Sequence, residues 1–127
     1  TELAPQKNLC QVQATHLPSN TALQGYEIHH GKTMRLQEDV KAVIADPENR
    51  EIGFASADNK VWGTYLHGLF DADEFRRWFL DQVRKDKGLE PLGEIQTHYD
   101  LEENLDRLAD MVRKNLDMEK IYSMLDR

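Results

Sequence analysis

The sequence predicts a mixed fold, with strands in the first half of the chain and helices in the second. Residues 9–14 alternate between apolar and polar side chains, which is the pattern of a half-buried strand. After residue 71 the apolar residues recur at helical spacing instead. Strands followed by helices are typical of an α+β arrangement, and 127 residues with 39% hydrophobic side chains suffice for one domain with a core.

The first half contains five predicted strand segments separated by turn-forming residues. In the first of them, Cys10, Val12 and Ala14 share one face. The second places Glu27 and His29 on the face opposite Tyr26 and Ile28. Turns are predicted at residues 17–20 and 46–49, and residues 57–59 have hairpin composition. The predicted strands are residues 9–14, 25–34, 40–45, 51–56 and 60–66.

The first predicted helix follows residue 71. Asp71 can cap it, and Glu74 stands at the spacing of a capping box. Gly88 is a suitable residue for the helix to end at. An aromatic and aliphatic stripe is expected to be core and not a cofactor site; it comprises Phe75, Trp78, Phe79 and Val83.

A connector containing Pro91 and Gly93 leads to a predicted long final helix over residues 101–125. One apolar stripe runs along it, and charged residues cover the other face. We expect the stripe to pack against a sheet; a surface for a partner helix is the alternative. The stripe consists of Leu101, Leu105, Leu108, Val112, Leu116, Ile121, Met124 and Leu125.

The charge of the chain disfavours nucleic acid as a partner. Sixteen basic and 23 acidic residues give a net charge of -7, which a phosphate backbone repels. The basic cluster at residues 84–87 is interrupted by Asp86 and suits a helix end. No stretch approaches the roughly 20 apolar residues of a membrane span. A single cysteine, Cys10, forms no internal disulfide, so we expect a cytoplasmic protein.

His67 is the first candidate for chemistry. It ends a predicted strand, Gly68 follows it, and a predicted helix begins soon after, which suits a side chain in a cleft. An imidazole titrates near neutral pH and can relay a proton. From spacing alone, an ordinary hydrogen-bonded histidine is the more common interpretation.

Glu27 and His29 are the second candidates, because residues two apart on a strand project from the same face. The carboxylate could orient an imidazole, or both side chains could bind a metal together with His67. No further ligand pattern supports the metal hypothesis, so we expect no metal. Cys10 lies in the middle of a predicted strand without a nucleophile elbow, and we expect it to be inert.

Four segments in a fixed order resemble the glutamine amidotransferase domain of the cobyric acid synthase family, and the similarity covers most of the chain. The third contains His67, and the fourth resembles the terminal helix of that domain. The segments are Leu9-Cys10-Gln11-Val12-Gln13, Gly25-Tyr26-Glu27-Ile28-His29-His30-Gly31, Gly63-Thr64-Tyr65-Leu66-His67-Gly68-Leu69-Phe70-Asp71 and Asp106-Arg107-Leu108-Ala109-Asp110.

The resemblance implies a class I, triad-type glutamine amidotransferase with a flavodoxin-like α/β domain, in which His67 is the catalytic histidine. A cysteine attacks the amide of glutamine, and the ammonia released amidates side-chain carboxylates of adenosylcobyrinic acid a,c-diamide. A separate synthetase domain activates those carboxylates with ATP and magnesium. The resemblance implies no cofactor for residues 1–127 themselves, and its partners are glutamine, a corrinoid and the synthetase domain.

Two departures from the family pattern define what this chain supplies. Its residues correspond to the C-terminal portion of the domain, after the nucleophile elbow, and no phosphate-binding glycine loop occurs in them. We therefore expect the isolated chain to be inactive. Leu69 stands where many class I enzymes have a glutamate, as in the cobalamin-type subfamily, so Glu27 or His29 is the candidate to orient His67.

Two other hypotheses remain open at this point. Cobyrinic acid a,c-diamide synthase and the cell-wall amidating enzymes have similar histidine segments. A non-catalytic interaction module with an amidotransferase-like shell belongs to a different functional class.

Overall fold

A computed structural model describes residues 2–36 and 39–125 and divides the chain into two compact units. Among these described residues, the first unit, Thr1–Thr97, contains six strands and one α-helix, and the second, His98–Arg127, contains two α-helices.

The first unit is built on one six-stranded sheet in which every pairing between described residues is antiparallel. The order across the sheet is β5-β4-β3-β1-β2-β6. The strands are β1 Glu2–His16, β2 Thr21–Lys32, β3 Lys41–Ala45, β4 Glu51–Ala55, β5 Trp62–Thr64 and β6 Leu66–His67.

The sheet curls so that its two edges approach each other. β5 and β6 lie at opposite ends of the strand order, yet only Tyr65 separates them in the chain. Consecutive Cα atoms are about 3.8 Å apart, so these edges are neighbours in space. The Tyr65 backbone N–H donates to the Ile52 carbonyl of β4 at 3.3 Å. The predicted strand at residues 60–66 is thus two short strands that pair with β4 and with β2.

The predicted turns are confirmed. Residues 17–20 connect β1 and β2 as a turn that ends at Asn20, where φ is +54°. Residues 46–50 connect β3 to β4 and include the predicted turn, and residues 56–61 connect the antiparallel pair β4 and β5. β2 begins four residues earlier than predicted and pairs with β1 along almost its whole length.

The core lies on the inner face of the curled sheet. Val12 and Ala14 are buried there, as their alternation predicts, and Cys10 is half-buried. Helix α1, Asp73–Asp86, packs against this face. Phe75 is fully buried and Trp78 and Phe79 are partly buried, which confirms the predicted stripe, although Val83 remains 37% exposed.

The predicted capping box at the start of α1 is wrong. Asp71 ends a short 3-10 turn, Leu69–Asp71, and α1 begins two residues later with Ala72 as its N-cap and no side-chain cap. The 3-10 turn occupies the position where a capping residue would stand. The end of the helix is predicted correctly, since Lys87 is the C-cap and Gly88 adopts φ +71°.

The predicted single helix over residues 101–125 is also wrong, because the second unit contains two helices, α2 Leu101–Asn115 and α3 Met118–Leu125. Leu116 is extended, with φ −121° and ψ 148°, and this interrupts the helix. The Asp117 carboxylate then accepts from the Lys120 backbone N–H at 3.0 Å, as an N-cap does. A continuous apolar stripe contains no signal for such a break.

The mixed α/β class is therefore confirmed, and the described part of the chain forms three α-helices where two main ones were predicted. A flavodoxin-like sheet is parallel, and the described strand pairs are antiparallel. Within residues 2–36 and 39–125, no helix has both the length and the apolarity needed to cross a lipid bilayer.

Candidate functional site

His67 ends strand β6 and lies on the outer face of the sheet, where its side chain is exposed. The register pairs His67 with Tyr26, which is 51% exposed, and pairs Leu66 with Glu27, both of which are buried. Within residues 2–36 and 39–125 the His67 imidazole has no hydrogen bond, ion pair or ring contact. The predicted strand-end position is therefore confirmed, and the ring is open to an incoming group.

Close backbone packing holds His67 in this position. A Cβ atom at Gly25 would lie 2.0 Å from the His67 carbonyl oxygen, so only glycine lets β2 approach β6 this closely. The Thr64 hydroxyl donates to the Ile52 carbonyl at 2.9 Å and accepts from the Leu66 N–H at 3.0 Å. Strand β6 is thus attached to β2 on one side and through Thr64 to β4 on the other.

A tight turn follows His67 and leads into α1. Gly68 has φ +84°, which glycine adopts without strain, and its carbonyl accepts from the Asp71 N–H at 2.9 Å. Arg76 of α1 donates to the Phe70 carbonyl at 2.7 Å. These contacts attach the turn after His67 to helix α1. They therefore help to hold His67 at the exposed end of its strand.

The outer face beside His67 carries an apolar patch, which we define by Leu9, Tyr26 and Ile28. Leu9 pairs with Ile28 across β1 and β2, and Tyr26 pairs with His67. These three side chains are 68%, 51% and 40% exposed. The candidate imidazole thus stands at the edge of an uncovered apolar surface.

Glu27 is fully buried on the inner face and has a bidentate ion pair with Arg50. The two guanidinium nitrogens donate to its two oxygens at 3.1 and 2.7 Å. Arg50 also donates to Asp46 at 2.9 Å. The hydrogen bond to Glu27, opposed by partial burial, is the main cause that raises the pKa of Arg50 above its usual value. The buried carboxylate is therefore a charge-paired link between β2 and the β3–β4 turn.

His29 lies beside Glu27, as the strand alternation predicts. Its Nδ1–H donates to the Gly31 carbonyl at 2.6 Å, and its Nε2 atom lies 3.6 Å from a Glu27 oxygen. The ring stacks on Tyr65 with centroids 3.9 Å apart. The structure thus brings Glu27 and His29 together.

The structure does not bring these two residues to His67, because Glu27 and His67 project from opposite faces of β2 and β6. Among the described residues, no group of three His, Cys, Asp or Glu side chains has a metal-binding arrangement. The set of Glu27, His29 and His67 considered from the sequence is therefore not assembled in this chain.

Cys10 lies in the middle of β1 directly opposite Glu27 and is half-buried. Its thiol donates to a Glu27 oxygen at 3.9 Å. The position in a strand, and not at a strand-to-helix elbow, is as predicted. Its expected lack of reactivity stays a prediction.

His16 is a buried residue that the sequence reasoning missed. Its ring lies between Trp62, Phe75 and Trp78, and its Nδ1 shares a 2.6 Å hydrogen bond with Ser19. Burial lowers the pKa of His16 from 6.5 to about 4. The alternation of residues 10, 12 and 14, extended by one step, would have placed His16 inward.

Comparison with known proteins adds a family assignment to this geometry. The model of the CobB/CobQ-like glutamine amidotransferase domain family matches residues 1–75, which is more than half of the chain. No solved structure was found to match.

The curated relatives extend this likeness to the rest of the chain. The bifunctional adenosylcobalamin biosynthesis protein CobDQ of Leptospira interrogans is 46% identical over 98% of this chain and 14% of its own length. The cobyric acid synthase of Nitratidesulfovibrio vulgaris is 49% identical over 82% of the chain and 20% of its own length. That of a Thermoanaerobacter species is 41% identical over 100% of the chain and 28% of its own length.

The chain thus spans between 14% and 28% of the length of these three relatives. The family model covers the strands that carry Glu27, His29 and His67, together with the turn into α1. This chain belongs to the family of CobB/CobQ-like glutamine amidotransferase domains.

Proposed function

We propose that this chain is the C-terminal part of the glutamine amidotransferase domain of a cobyric acid synthase, and that His67 is its catalytic histidine. The observation that carries the proposal is an exposed imidazole at a strand end, beside an uncovered apolar patch, in a chain of this family. The names of the relatives favour cobyric acid synthase over its sibling amidotransferases.

The chemistry assigned to His67 is proton transfer to and from a cysteine supplied by another part of the domain. The imidazole takes the thiol proton, and the thiolate attacks the side-chain amide carbon of glutamine. The imidazolium then gives that proton to the leaving nitrogen, so that ammonia departs and a glutamyl thioester remains. Water hydrolyses the thioester to glutamate and regenerates the thiol.

The occupant we propose for the apolar patch is the nucleophile-bearing part of the same domain. Leu9, Tyr26 and Ile28 form an apolar surface directly beside His67, and exposed apolar patches of this kind are typical of interfaces. In this arrangement the nucleophile-bearing part brings its cysteine to His67. It would also supply the parallel strands of a flavodoxin-like domain.

Glu27 and His29 are proposed as supporting residues that act through the strand. Their contacts fix β2 from the inner face, and β2 positions His67 through the close approach at Gly25. Direct orientation of the His67 ring is assigned to a group beyond the residues that the structure describes. The supporting role of Glu27 and His29 is thus positional.

The ammonia released at this site would amidate carboxylates of a corrinoid in the complete enzyme. We assign activation of those carboxylates, with ATP and magnesium, to a synthetase domain outside these residues. A cytoplasmic location is part of the same proposal, since both steps belong to intracellular biosynthesis.

The test is reconstitution of glutaminase activity from two purified polypeptides. One is this chain and the other is the nucleophile-bearing part of the same domain, and glutamate release is measured. We expect no glutamate release from this chain alone and measurable release from the mixture. In the mixture, His67→Ala should lower the rate of glutamate release by at least about a hundredfold, because a general acid-base group contributes that much to catalysis.

The matched control is His30→Ala, which removes another exposed imidazole from the same sheet. We expect it to leave glutamate release by the mixture unchanged. Glutamate release from the wild-type chain alone that is lost in His67→Ala would contradict the division of the site. Equal activity of wild type and His67→Ala in the mixture would contradict the assignment of His67.

A further inference from the structure

Two cavities adjoin on the side of the sheet where β2, β4 and Tyr65 meet. Their volumes are about 590 and about 580 Å3, and several residues, among them Met34, Phe54 and Tyr65, line both. We name the combined space the Tyr65 cleft and define it by Lys7, Lys32, Met34, Phe54, Gly63 and Tyr65. His67 lines neither cavity, so the cleft does not include the imidazole to which we assign proton transfer, although the supporting residue His29 lines the larger cavity.

One end of the cleft carries two ammonium groups without carboxylate partners. Lys7 and Lys32 have no ion pair with any residue in the ranges 2–36 and 39–125. The other charges that line this end are already paired: Arg50 with Glu27 and Asp46, and Glu51 with Arg35 at 3.5 Å. These two ammonium groups make this end locally positive and favour an anion there, although the chain as a whole has a net charge of -7.

An irregularity in β1 builds the wall that carries Lys7. The β1–β2 register shifts between Leu3 and Asn8, which pair with Gly31 and His29, so four residues of β1 leave the ladder. Lys7 is one of the four and lines the cavity. Such bulges redirect side chains and occur often beside binding sites.

The other end of the cleft is apolar and open at Gly63. Gly63 pairs with Phe54 across β4 and β5, so a side chain at residue 63 would project beside Phe54 into the cleft. A Cβ atom there would meet nothing within 4 Å, and the backbone is not left-handed. Neither crowding nor conformation requires glycine at this position, and the missing side chain leaves space beside Phe54 that a ligand can occupy.

From these observations we propose that the Tyr65 cleft binds an organic carboxylate with an apolar body. The carboxylate lies against Lys7 and Lys32, and the apolar body lies against Met34 and Phe54 in the space that Gly63 leaves open. An apolar ligand without a charge leaves the ammonium groups unused, and a small inorganic anion leaves the apolar end empty. Both features together therefore define the ligand class.

The experiment uses phenylacetate as the probe and the full 127-residue chain. Binding is followed by the chemical shifts of backbone amides in the nuclear magnetic resonance spectrum. We expect phenylacetate to shift the amides of Lys32, Tyr65 and Gly63 in a saturable manner. Acetate has the carboxylate without the apolar body, and phenylethanol has the apolar body without the carboxylate. Each should bind at least roughly fivefold more weakly than phenylacetate, as the loss of one modest interaction predicts.

Two variants and one control test the assignment of the two ends. Lys7→Gln with Lys32→Gln should weaken phenylacetate binding by roughly five- to tenfold. Gly63→Leu should abolish it by filling the apolar end, and the unchanged spectrum elsewhere would show that this variant folds. Lys114→Gln with Lys120→Gln makes the same change of charge in the second unit and should leave binding unchanged.

Three results would overturn the proposal. They are the absence of saturable shifts at the cleft, equal binding of phenylacetate and phenylethanol, and retention of binding by Gly63→Leu. None of these results bears on glutamate release, so the failure of this proposal is distinguishable from failure of the proposed function.

Discussion

At the scale of single residues, the buried histidine between the tryptophans makes the stability of the first unit depend on pH. His16 is fully buried and has a pKa of about 4 in the folded chain, against 6.5 when unfolded. As the pH falls below 6.5, the unfolded chain binds the proton first, so protonation favours unfolding. The full contribution is present above pH 6.5 and is lost progressively toward pH 4.

We therefore expect the free energy of unfolding to fall by about 1.4 kcal/mol per pH unit across this window because of His16 alone. Urea unfolding at several pH values measures it. In His16→Phe this part of the pH dependence should disappear, whereas His30→Gln, which changes an exposed histidine, should retain it. The same slope in wild type and His16→Phe would show that another group is responsible.

Gly25 is the residue on which the position of His67 depends most directly. The methyl group of Gly25→Ala would lie 2.0 Å from the His67 carbonyl oxygen, so β6 must move away from β2. We expect a loss of about 2–3 kcal/mol in the free energy of unfolding, as for other overpacked sites. Chemical denaturation measures this loss.

The matched control for that variant is Gly63→Ala, in which the added methyl group meets nothing within 4 Å. It should change the free energy of unfolding by less than about 0.5 kcal/mol. If Gly25→Ala is as stable as the control, β2 and β6 do not pack as closely as described.

At the scale of secondary-structure elements, a bidentate ion pair to a fully buried carboxylate links β2 to the β3–β4 turn. Glu27→Gln keeps the shape of the side chain but removes the charge that pairs with Arg50 at 2.7 Å. Hydrogen bonds to charged groups contribute about 1.5–3 kcal/mol each, and Glu27 is fully buried. We expect thermal or urea unfolding to show a loss of about 2–3 kcal/mol.

Glu48→Gln is the control, because it makes the same change of charge on the exposed turn that carries Arg50. It should cost less than about 0.5 kcal/mol. A double-mutant cycle with Arg50→Met should then give a coupling energy between residues 27 and 50 that accounts for most of the loss in Glu27→Gln. A coupling energy near zero would assign the loss to Glu27 alone.

Local sequence signals predicted the elements better than their ends. The alternation in β1, the turn at residues 17–20 and the aromatic stripe of α1 are short-range patterns, and the structure confirms them. The start of α1 was wrong because the 3-10 turn after Gly68 replaces the cap expected at Asp71. The break at Leu116 was missed because the apolar spacing continues across it.

At the scale of the whole molecule, these short-range sequence patterns could not predict which strands pair with each other. β5 and β6 stand at opposite ends of the strand order, and the curl of the sheet brings them together. The register between β2 and β6 then shows which face the imidazole occupies. The sequence therefore predicted His67 at a strand end but suggested Glu27 and His29 as its neighbours. A shift of one residue between strands would move every side chain to the other face, so the register decides such contacts. At residues 26 and 27 of β2 the usual pattern is reversed, because the charged Glu27 is buried and the aromatic Tyr26 is exposed.

The same register leads to a prediction about how this chain joins its complementary part. Tyr26 and Ile28 are on the outer face and more than a third exposed, so replacing both with lysine removes few contacts within the chain. We expect the free energy of unfolding of the isolated chain to change by less than about 1 kcal/mol. Association with the nucleophile-bearing part should fall by at least roughly a hundredfold, because two charged side chains would have to be buried in the interface.

Titration calorimetry of the two polypeptides measures that association, and Val61→Lys provides the control. Val61 is 69% exposed in the turn between β4 and β5, at the edge of the sheet opposite β6 in the strand order. Its replacement adds a charge to an exposed apolar position without touching the patch beside His67. If Val61→Lys weakens association as much as the double lysine variant, the complementary part does not recognise the face that carries His67, and the cysteine must reach the imidazole from another direction.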